Sequence, residues 1–410
     1  MTRKKSSDLP SVEDAHALIL DGVPTLDTVE APLGEALGAV LAEAVTADVD
    51  LPPFDCSAMD GYAVRAADLA ELPVVLPILE RLTAGRMPTK RVEPGTCSQI
   101  MTGGVVPDGA DAVVMVEHTE RVDDDHARFL KPVTRTNIRR RAEEMATGRT
   151  VLEPGAVIRV PEIGLLASVG REQVRVVRRP TVAILATGDE LVAVAERPGP
   201  GQIRDSNTPT LLALCARAGL QATAVGVARD NPEDLAAKVR KGLDADVLLV
   251  SAGVSVGEFD LVPQVLTSLG AQIHLHGIRV KPGKPVAFCT AGERVIFGVP
   301  GKPVSTIVAF GLFILPALRR MAGVTDCVPK PVPGVMKAPF KKRAGRRQYD
   351  PARLDRAGDH LEVEALPNYG SSDLVALSRA NALLVAPDDA ERLEPGDQVD
   401  VIPFDEPTVA

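Results

Sequence analysis

The sequence predicts a multi-domain protein of the α/β-plus-β class, built around a doubly wound, mostly parallel sheet. Three observations predict it. Strand-like and helix-like patterns alternate from Thr181 to Val250, the signature of parallel strands with helices on both faces. A Pro-rich stretch, Val328 to Pro333, is followed by short apolar runs and turn signals, which reads as a small all-β domain. The chain has 410 residues, too many for one ordinary domain.

The elements follow in order. Ser11 with Asp14 three residues on makes a capping-box start for a helix over 11–22, with Ala15, Leu18 and Ile19 on one face. A second helix is expected over Leu33 to Ala44. The paired prolines of Leu51-Pro-Pro-Phe-Asp-Cys-Ser-Ala-Met-Asp-Gly-Tyr-Ala-Val64 forbid regular structure at first, and a strand begins at Tyr62. That loop sets Asp55, Ser57 and Asp60 close together, for capping or for a ligand. Short β runs follow at Val74–Ile78, Ala112–Val116 and Arg128–Val133. Asn137 to Glu144 carries alternating blocks of charge and reads as a solvated surface; Pro161 to Val169 holds a short helix and Gln173–Val177 a strand.

From Pro180 the texture changes. Strands Thr181–Ala186, Ala222–Val227 and Asp246–Val250 alternate with helices near Thr208–Ala218 and over Pro232–Gly242, the latter capped by Asn231. A further helix starts at Leu261, and an apolar one covers Pro303–Met321. The resulting division is 11–50 plus 139–178 (N-terminal domain), 51–138 (inserted β-rich module), 179–325 (α/β domain) and 326–410 (C-terminal β domain).

Composition narrows the chemistry. The net charge of −9, the absence of Trp and 3% aromatics argue against a nucleic-acid partner. Five scattered cysteines without CxxC spacing fit a reducing compartment and exclude the usual zinc sites. No signal peptide is visible, and the most apolar stretch, Thr306 to Leu318, falls short of the ~20 residues that span a bilayer; a cytoplasmic protein is expected. There is no GxxxxGK[ST], no GxGxxG after the first strand, no HExxH and no GxSxG.

Three loops leave the C-terminal ends of the strands, where ligands of open α/β sheets bind. They are Thr187-Gly-Asp-Glu190, Ser251–Asp260 and Val299-Pro-Gly-Lys-Pro-Val-Ser305. The small-residue loop with Gly253, Ser255 and Gly257 lets backbone N–H groups approach an anion. Acids at these strand ends (Asp189, Glu190, Glu258, Asp260), with Asp230 nearby, are hard oxygen donors without a His or Cys cluster, which favours Mg²⁺. Lys281-Pro-Gly-Lys-Pro285 offers two cations on a stiff turn, and Pro300, Gly301 and Ser305 sit at a helix start suited to an anion.

Taken together, Phe54-Asp-Cys-Ser-Ala-Met-Asp-Gly-Tyr-Ala63, Met101-Thr-Gly-Gly104, Asp111–Met115, Asn137-Ile-Arg-Arg-Arg141, Ala186–Leu191, Arg204-Asp-Ser-Asn207, Ser251–Asp260, Lys281–Pro285, Val299–Ser305 and, more weakly, Gly370–Asn381 resemble the molybdopterin molybdenumtransferase family (bacterial MoeA and the gephyrin E domain). The resemblance implies an elongated homodimer of four-domain subunits with a molybdopterin-binding-type sheet and a C-terminal barrel. It implies binding of adenylylated molybdopterin, insertion of molybdate, and Mg²⁺-assisted hydrolysis that releases AMP, at a site shared between subunits. Molybdopterin adenylyltransferase and molybdoenzymes or their chaperones are the implied partners. Carried over by position, Asp60, Asp189, Glu190, Asp260, Lys281 and Lys284 form the candidate catalytic set. Ser57, Thr102, Asp230, Gly253, Ser255, Gly257, Pro300, Gly301, Ser305 and Ser371 form the binding set, and Asp189, Glu190, Glu258 and Asp260 the metal set.

Seven positions depart from the family pattern: Cys56 for Asn, Ala142 and Ala252 for Gly, Glu144 and Glu258 for Asp, Gly277 for Lys and Lys302 for Asn. Ala252 places a methyl in a loop where positive φ or close backbone approach favours glycine. These departures leave a second reading open, a non-catalytic pterin-binding or carrier protein; a purely structural dimer and a related hydrolase on another nucleotide conjugate stand behind it.

Overall fold

The structure is a computed structural model, and residues 8–253 and 261–404 are described. The chain forms two compact units. One takes the residues up to Ala31, Gly38–Ala42 and those from Arg175 on; the other takes Pro32–Leu37 and Glu43–Val174.

The larger unit holds the expected sheet. Its order is Ala222–Ala228, Val182–Thr187, Val247–Ser251, Arg294–Val299, Ala287–Ala291, Gln272–His276. The first four strands run parallel, while the last two add antiparallel through a hairpin and a return strand. The Val247–Ser251 strand is buried along its whole length, because helices cover both faces and a continuous apolar run is stable there. Asn207–Arg217 and Pro232–Gly242 occupy the expected places, and Asn231 accepts the Asp234 N–H as an N-cap.

One face of the sheet packs on Asn207–Arg217 and on two further helices. Val12–Gly22 opens with the expected capping box between Ser11 and Asp14. Pro303–Met321 is a 19-residue helix, long and apolar enough by length and composition to cross a membrane, which corrects the shorter stretch read from the sequence. Most of it (72%) is buried inside this unit, against Val182, Ile184, Phe288 and Phe297 among others. Its middle, Phe310–Ile314, is a π turn. Pro316 has no N–H to give the Leu312 carbonyl, so the ladder must open there; His16 Nε2, 2.7 Å away on the first helix, donates to that carbonyl instead.

The C-terminal residues close a five-stranded barrel in the order Arg347–Ala357, His360–Ala365, Val332–Met336, Gln398–Pro403, Ala382–Ala386, and back to Arg347–Ala357. A short strand from the sheet region, Val280–Lys281, pairs in parallel with the barrel strand at Arg347 and Gln348.

The smaller unit contains a six-stranded sheet in the order Ala112–Met115, Gly61–Val64, Cys97–Ile100, Val74–Leu82, His126–Phe129, Thr119–Arg121. Tyr62 and Phe129 pack edge to face in its core, 5.7 Å apart. Gly61 is required by close approach: a Cβ there would lie 1.9 Å from the Val114 carbonyl oxygen.

The helix expected over Leu33 to Ala44 does not form. Only a 3₁₀ turn at Leu33–Glu35 remains, Gly38 adopts φ +78, and Val40–Leu41 is taken up in antiparallel pairing with Gln173–Val177. The strand read as Arg128–Val133 lies earlier, at His126–Phe129. A short helix, Leu374–Arg379, was not expected.

Candidate functional site

In the smaller unit the sequence brings Ser57, Asp60 and Thr102 together. Asp60 Oδ1 accepts from the Thr102 backbone N–H and from its hydroxyl, both at 2.7 Å; these bonds, the backbone one foremost, hold its carboxyl below the usual range. Ser57 pairs through its backbone with Gly103 and Gly104. The charge blocks after Asn137 pin this loop while staying largely solvated. Arg140 Nη1 and the Arg141 N–H reach the two oxygens of Asp55 at 2.6 and 2.8 Å, and Arg141 Nε donates to Asp50 at 2.5 Å. Asn137 and Ala142 both stand at positive φ, +48 and +60, at that corner.

In the larger unit the parallel strands deliver their loops to one edge. The motif Arg204-Asp-Ser-Asn207 acts there structurally. Asp205 accepts the N–H groups of Asn207 and Thr208 at 3.1 and 3.0 Å. Asn207, nearly buried, donates at 2.9 Å both to Ser251 Oγ and to the Gly301 carbonyl. One amide therefore ties together the loops after two neighbouring strands. Ala252 has φ +75, so the strain read into its methyl is present, and its Cβ faces Gly301, where a further Cβ would approach to 3.0 Å. Gly277 stands at φ +91, which suits glycine and not the lysine of the family pattern.

Asp189 and Asp230, both exposed, face each other across the ends of their strands; each accepts the other's backbone N–H at 3.4 Å, and Arg229 lies 3.9 Å from Asp189. Glu190 is exposed beside them. Ser255, Gly257, Glu258 and Asp260 lie outside the described residues. Among the described residues no three acids, histidines or cysteines converge on a cation position. Asp189 and Glu190 have the hard oxygens that suit Mg²⁺ but make up only part of a coordination shell.

A cavity of about 480 Å³ gathers the remaining candidates: Lys281, Lys284, Pro300, Gly301, Ser305 and Ser371. Three sets of contacts produce the convergence. Pairing of Val280–Lys281 with the barrel sets the Lys281–Pro285 turn beside Arg346–Asp350. The Val304 N–H donates to the Ser371 carbonyl at 3.1 Å, joining the helix start to the C-terminal domain. Asp373 caps Leu374–Arg379 through the Ala376 N–H and also accepts from Tyr369, fixing the loop that carries Ser371.

Sequence reasoning missed other lining residues, Arg346, Asp350 and Asn368; Lys302, in the Val299–Ser305 loop, lines the cavity too. Periodicity marks the Arg347–Ala357 strand but not which partner its buried face meets, and Asp350 stands there among other polar residues, so nothing in the sequence singles it out. Four cationic side chains, the serines Ser305 and Ser371 and a helix start surround one cavity, an arrangement whose chemistry suits an anion.

Fold and site thus define a multi-domain α/β protein with a cation-lined cavity between its strand-end loops and an appended barrel. Comparison with known proteins narrows this. The MoeA N-terminal region (domain I and II) matches residues 10–170, a probable molybdopterin-binding domain matches 183–320, and the MoeA C-terminal region (domain IV) matches 333–404. A molybdopterin molybdenumtransferase of Nostoc sp. is 36% identical over 393 residues, covering 92% of this chain and 90% of that protein. One from Staphylococcus epidermidis is 33% identical, covering 96% and 95%. A solved structure of the molybdopterin biosynthesis MoeA protein from Pyrococcus horikoshii OT3 superposes with a TM-score of 0.80 at 29% identity, covering 97% of this chain and all of that one. The chain belongs to the molybdopterin molybdenumtransferase family.

Proposed function

We propose that this protein inserts molybdate into adenylylated molybdopterin and hydrolyses the phosphoanhydride, releasing AMP and molybdenum cofactor. The observation that carries the reading is the cavity where Lys281, Lys284, Ser305 and Ser371 converge beside the strand-end loops. Cleaving a phosphoanhydride requires neutralisation of growing oxyanion charge more than a covalent nucleophile. Lys281 and Lys284 supply fixed positive charge, and the hydroxyls of Ser305 and Ser371 supply donors. The exposed acids Asp189, Glu190 and Asp230 stand at the pterin and phosphate edge. A magnesium ion, when bound, supplies further neutralisation of phosphate charge, and Asp189 and Glu190 with Glu258 and Asp260 are its proposed ligands. We read the enzyme as a cytoplasmic homodimer in which residues such as Asp60 and Thr102 complete the site of the other subunit.

The test is AMP release from adenylylated molybdopterin by the purified protein with Mg²⁺, with and without molybdate. Molybdate-dependent release is expected. Tight binding without release would replace this reading with that of a carrier, and neither binding nor release would leave only the fold.

A further inference from the structure

The long Pro303–Met321 helix starts at the cavity without a cap of its own. Its N-cap residue is Lys302, whose side chain makes no capping bond and, having donors only, can make none. Pro303 has no N–H to give, Val304 donates to the Ser371 carbonyl at 3.1 Å, and Thr306 donates to the Lys302 carbonyl at 3.0 Å. The Ser305 N–H is left without an acceptor among the described residues. Its side chain is in the same state: Ser305 is 5% exposed and lines the cavity, and its hydroxyl has no hydrogen-bond partner among the described residues. Lys302 lines the same cavity, is exposed, and pairs with no acid among the described residues. Much of the wall is proline and valine, including Pro282, Pro285, Pro300 and Val304. Charge brought in there is poorly hydrated, so a facing ammonium counts for more than on an open surface.

We propose that the ligand itself caps this helix: an oxygen of an oxyanion in the cavity accepts the Ser305 N–H where an N-cap side chain would, and the Lys302 ammonium pairs with that anion. The inference rests on the reading of the cavity as an oxyanion seat. It goes beyond that reading in making Lys302 a specificity-determining residue and in coupling anion binding to the stability of the helix start. An N-cap oxygen ordinarily accepts the N–H of the second or third helical residue, and the same open N–H groups bind anions. A capping side chain and a bound anion therefore compete for one donor. With lysine at the N-cap the donor stays open, and the helix start is completed when the anion arrives. A ligand without an acceptor oxygen gains nothing at this position.

The experiment is calorimetric titration of the full-length protein with sodium molybdate, joined to thermal unfolding with and without it. Wild type is expected to bind molybdate and to unfold at a higher temperature in its presence. Lys302→Asn removes the cation and supplies an acceptor for the Ser305 N–H; Lys302→Ala removes the cation alone. Both are expected to weaken molybdate binding about tenfold or more, the loss of one charge-assisted hydrogen bond, and Lys302→Arg to bind close to wild type. Both also relieve the crowding of cations around the cavity, so the difference between them isolates the cap. Without molybdate, Lys302→Asn is expected to unfold about 1–2 °C above Lys302→Ala, the contribution of one cap in a chain of this size. Binding by both variants as tight as wild type would overturn the inference and leave the cavity reading intact. Equal molybdate-free unfolding temperatures for the two would overturn the capping. No molybdate binding by wild type would overturn the cavity reading and the inference with it.

Discussion

Asp246 stands at the foot of the central strand, away from the ligand edge. Its oxygens collect Arg178 at 2.7 and 2.9 Å, the Thr181 N–H and hydroxyl at 2.9 Å, and Arg294 at 3.0 Å. Arg178 foremost, with Thr181, holds this carboxyl far below the usual carboxylate range. A depressed folded-state pKa contributes stability that is complete above the unfolded value and lost as pH falls toward the folded one. Wild type should therefore lose stability progressively below about pH 4, and Asp246→Asn should remove that share of the pH dependence. At neutral pH the variant leaves two partly exposed guanidinium groups without their anion, at a cost of about 1–3 kcal/mol; urea midpoints at several pH values check both statements. Ala252 makes the opposite case. Its φ of +75 strains an L-residue, so Ala252→Gly should stabilise the protein by about 1 kcal/mol, read from the same midpoints. Ala142, at φ +60, follows the same logic, whereas lysine at Gly277 would add strain without a settled site for its charge.

At the scale of elements, the Pro303–Met321 helix shows how one local defect recruits a distant donor. Pro316 deprives the buried Leu312 carbonyl of its intrahelical partner, and the neutral His16 ring, its pKa lowered chiefly by burial, supplies the missing N–H. His16→Ala should leave that carbonyl unsatisfied and cost about 1–3 kcal/mol, whereas His16→Gln, which keeps a donor, should restore part of it; thermal unfolding of both variants measures the difference. Asn207 plays a comparable part for the ligand edge, since one side chain fixes the Ser251 and Gly301 loops. The barrel strand Arg347–Ala357 has two duties, closing the barrel and accepting the Val280–Lys281 strand, so one pairing positions the Lys281–Pro285 turn.

For the molecule as a whole, the five free cysteines report on integrity. All are buried, and burial pushes Cys97 and Cys289 up to about 12 and Cys215 to about 11. A thiolate is the reactive form, so Ellman's reagent should label these thiols slowly in the native protein near neutral pH and rapidly in urea. Early labelling of a single thiol would expose local opening in its unit, since native segments open with different free energies.

The alternation of strands and helices from Thr181 to Val250, the capping box at Ser11, the Asn231 cap and the all-β C-terminal part were legible in the residues themselves. Each rests on local chemistry: side-chain periodicity, cap donors and acceptors, and the φ preferences of Gly and Pro. The family was legible for the same reason, because its motifs are short and contiguous. The sequence could not say that Leu33 to Ala44 would abandon a helix for pairing with Gln173–Val177, since a long-range backbone partner overrides local propensity. Nor could it say that Val280–Lys281 would join the barrel, that Asp350 would enter the cavity, or that His16 would serve Leu312. Those contacts join residues distant in sequence. They were decided by which strand edges and polar groups would otherwise be left unpaired when the apolar faces closed.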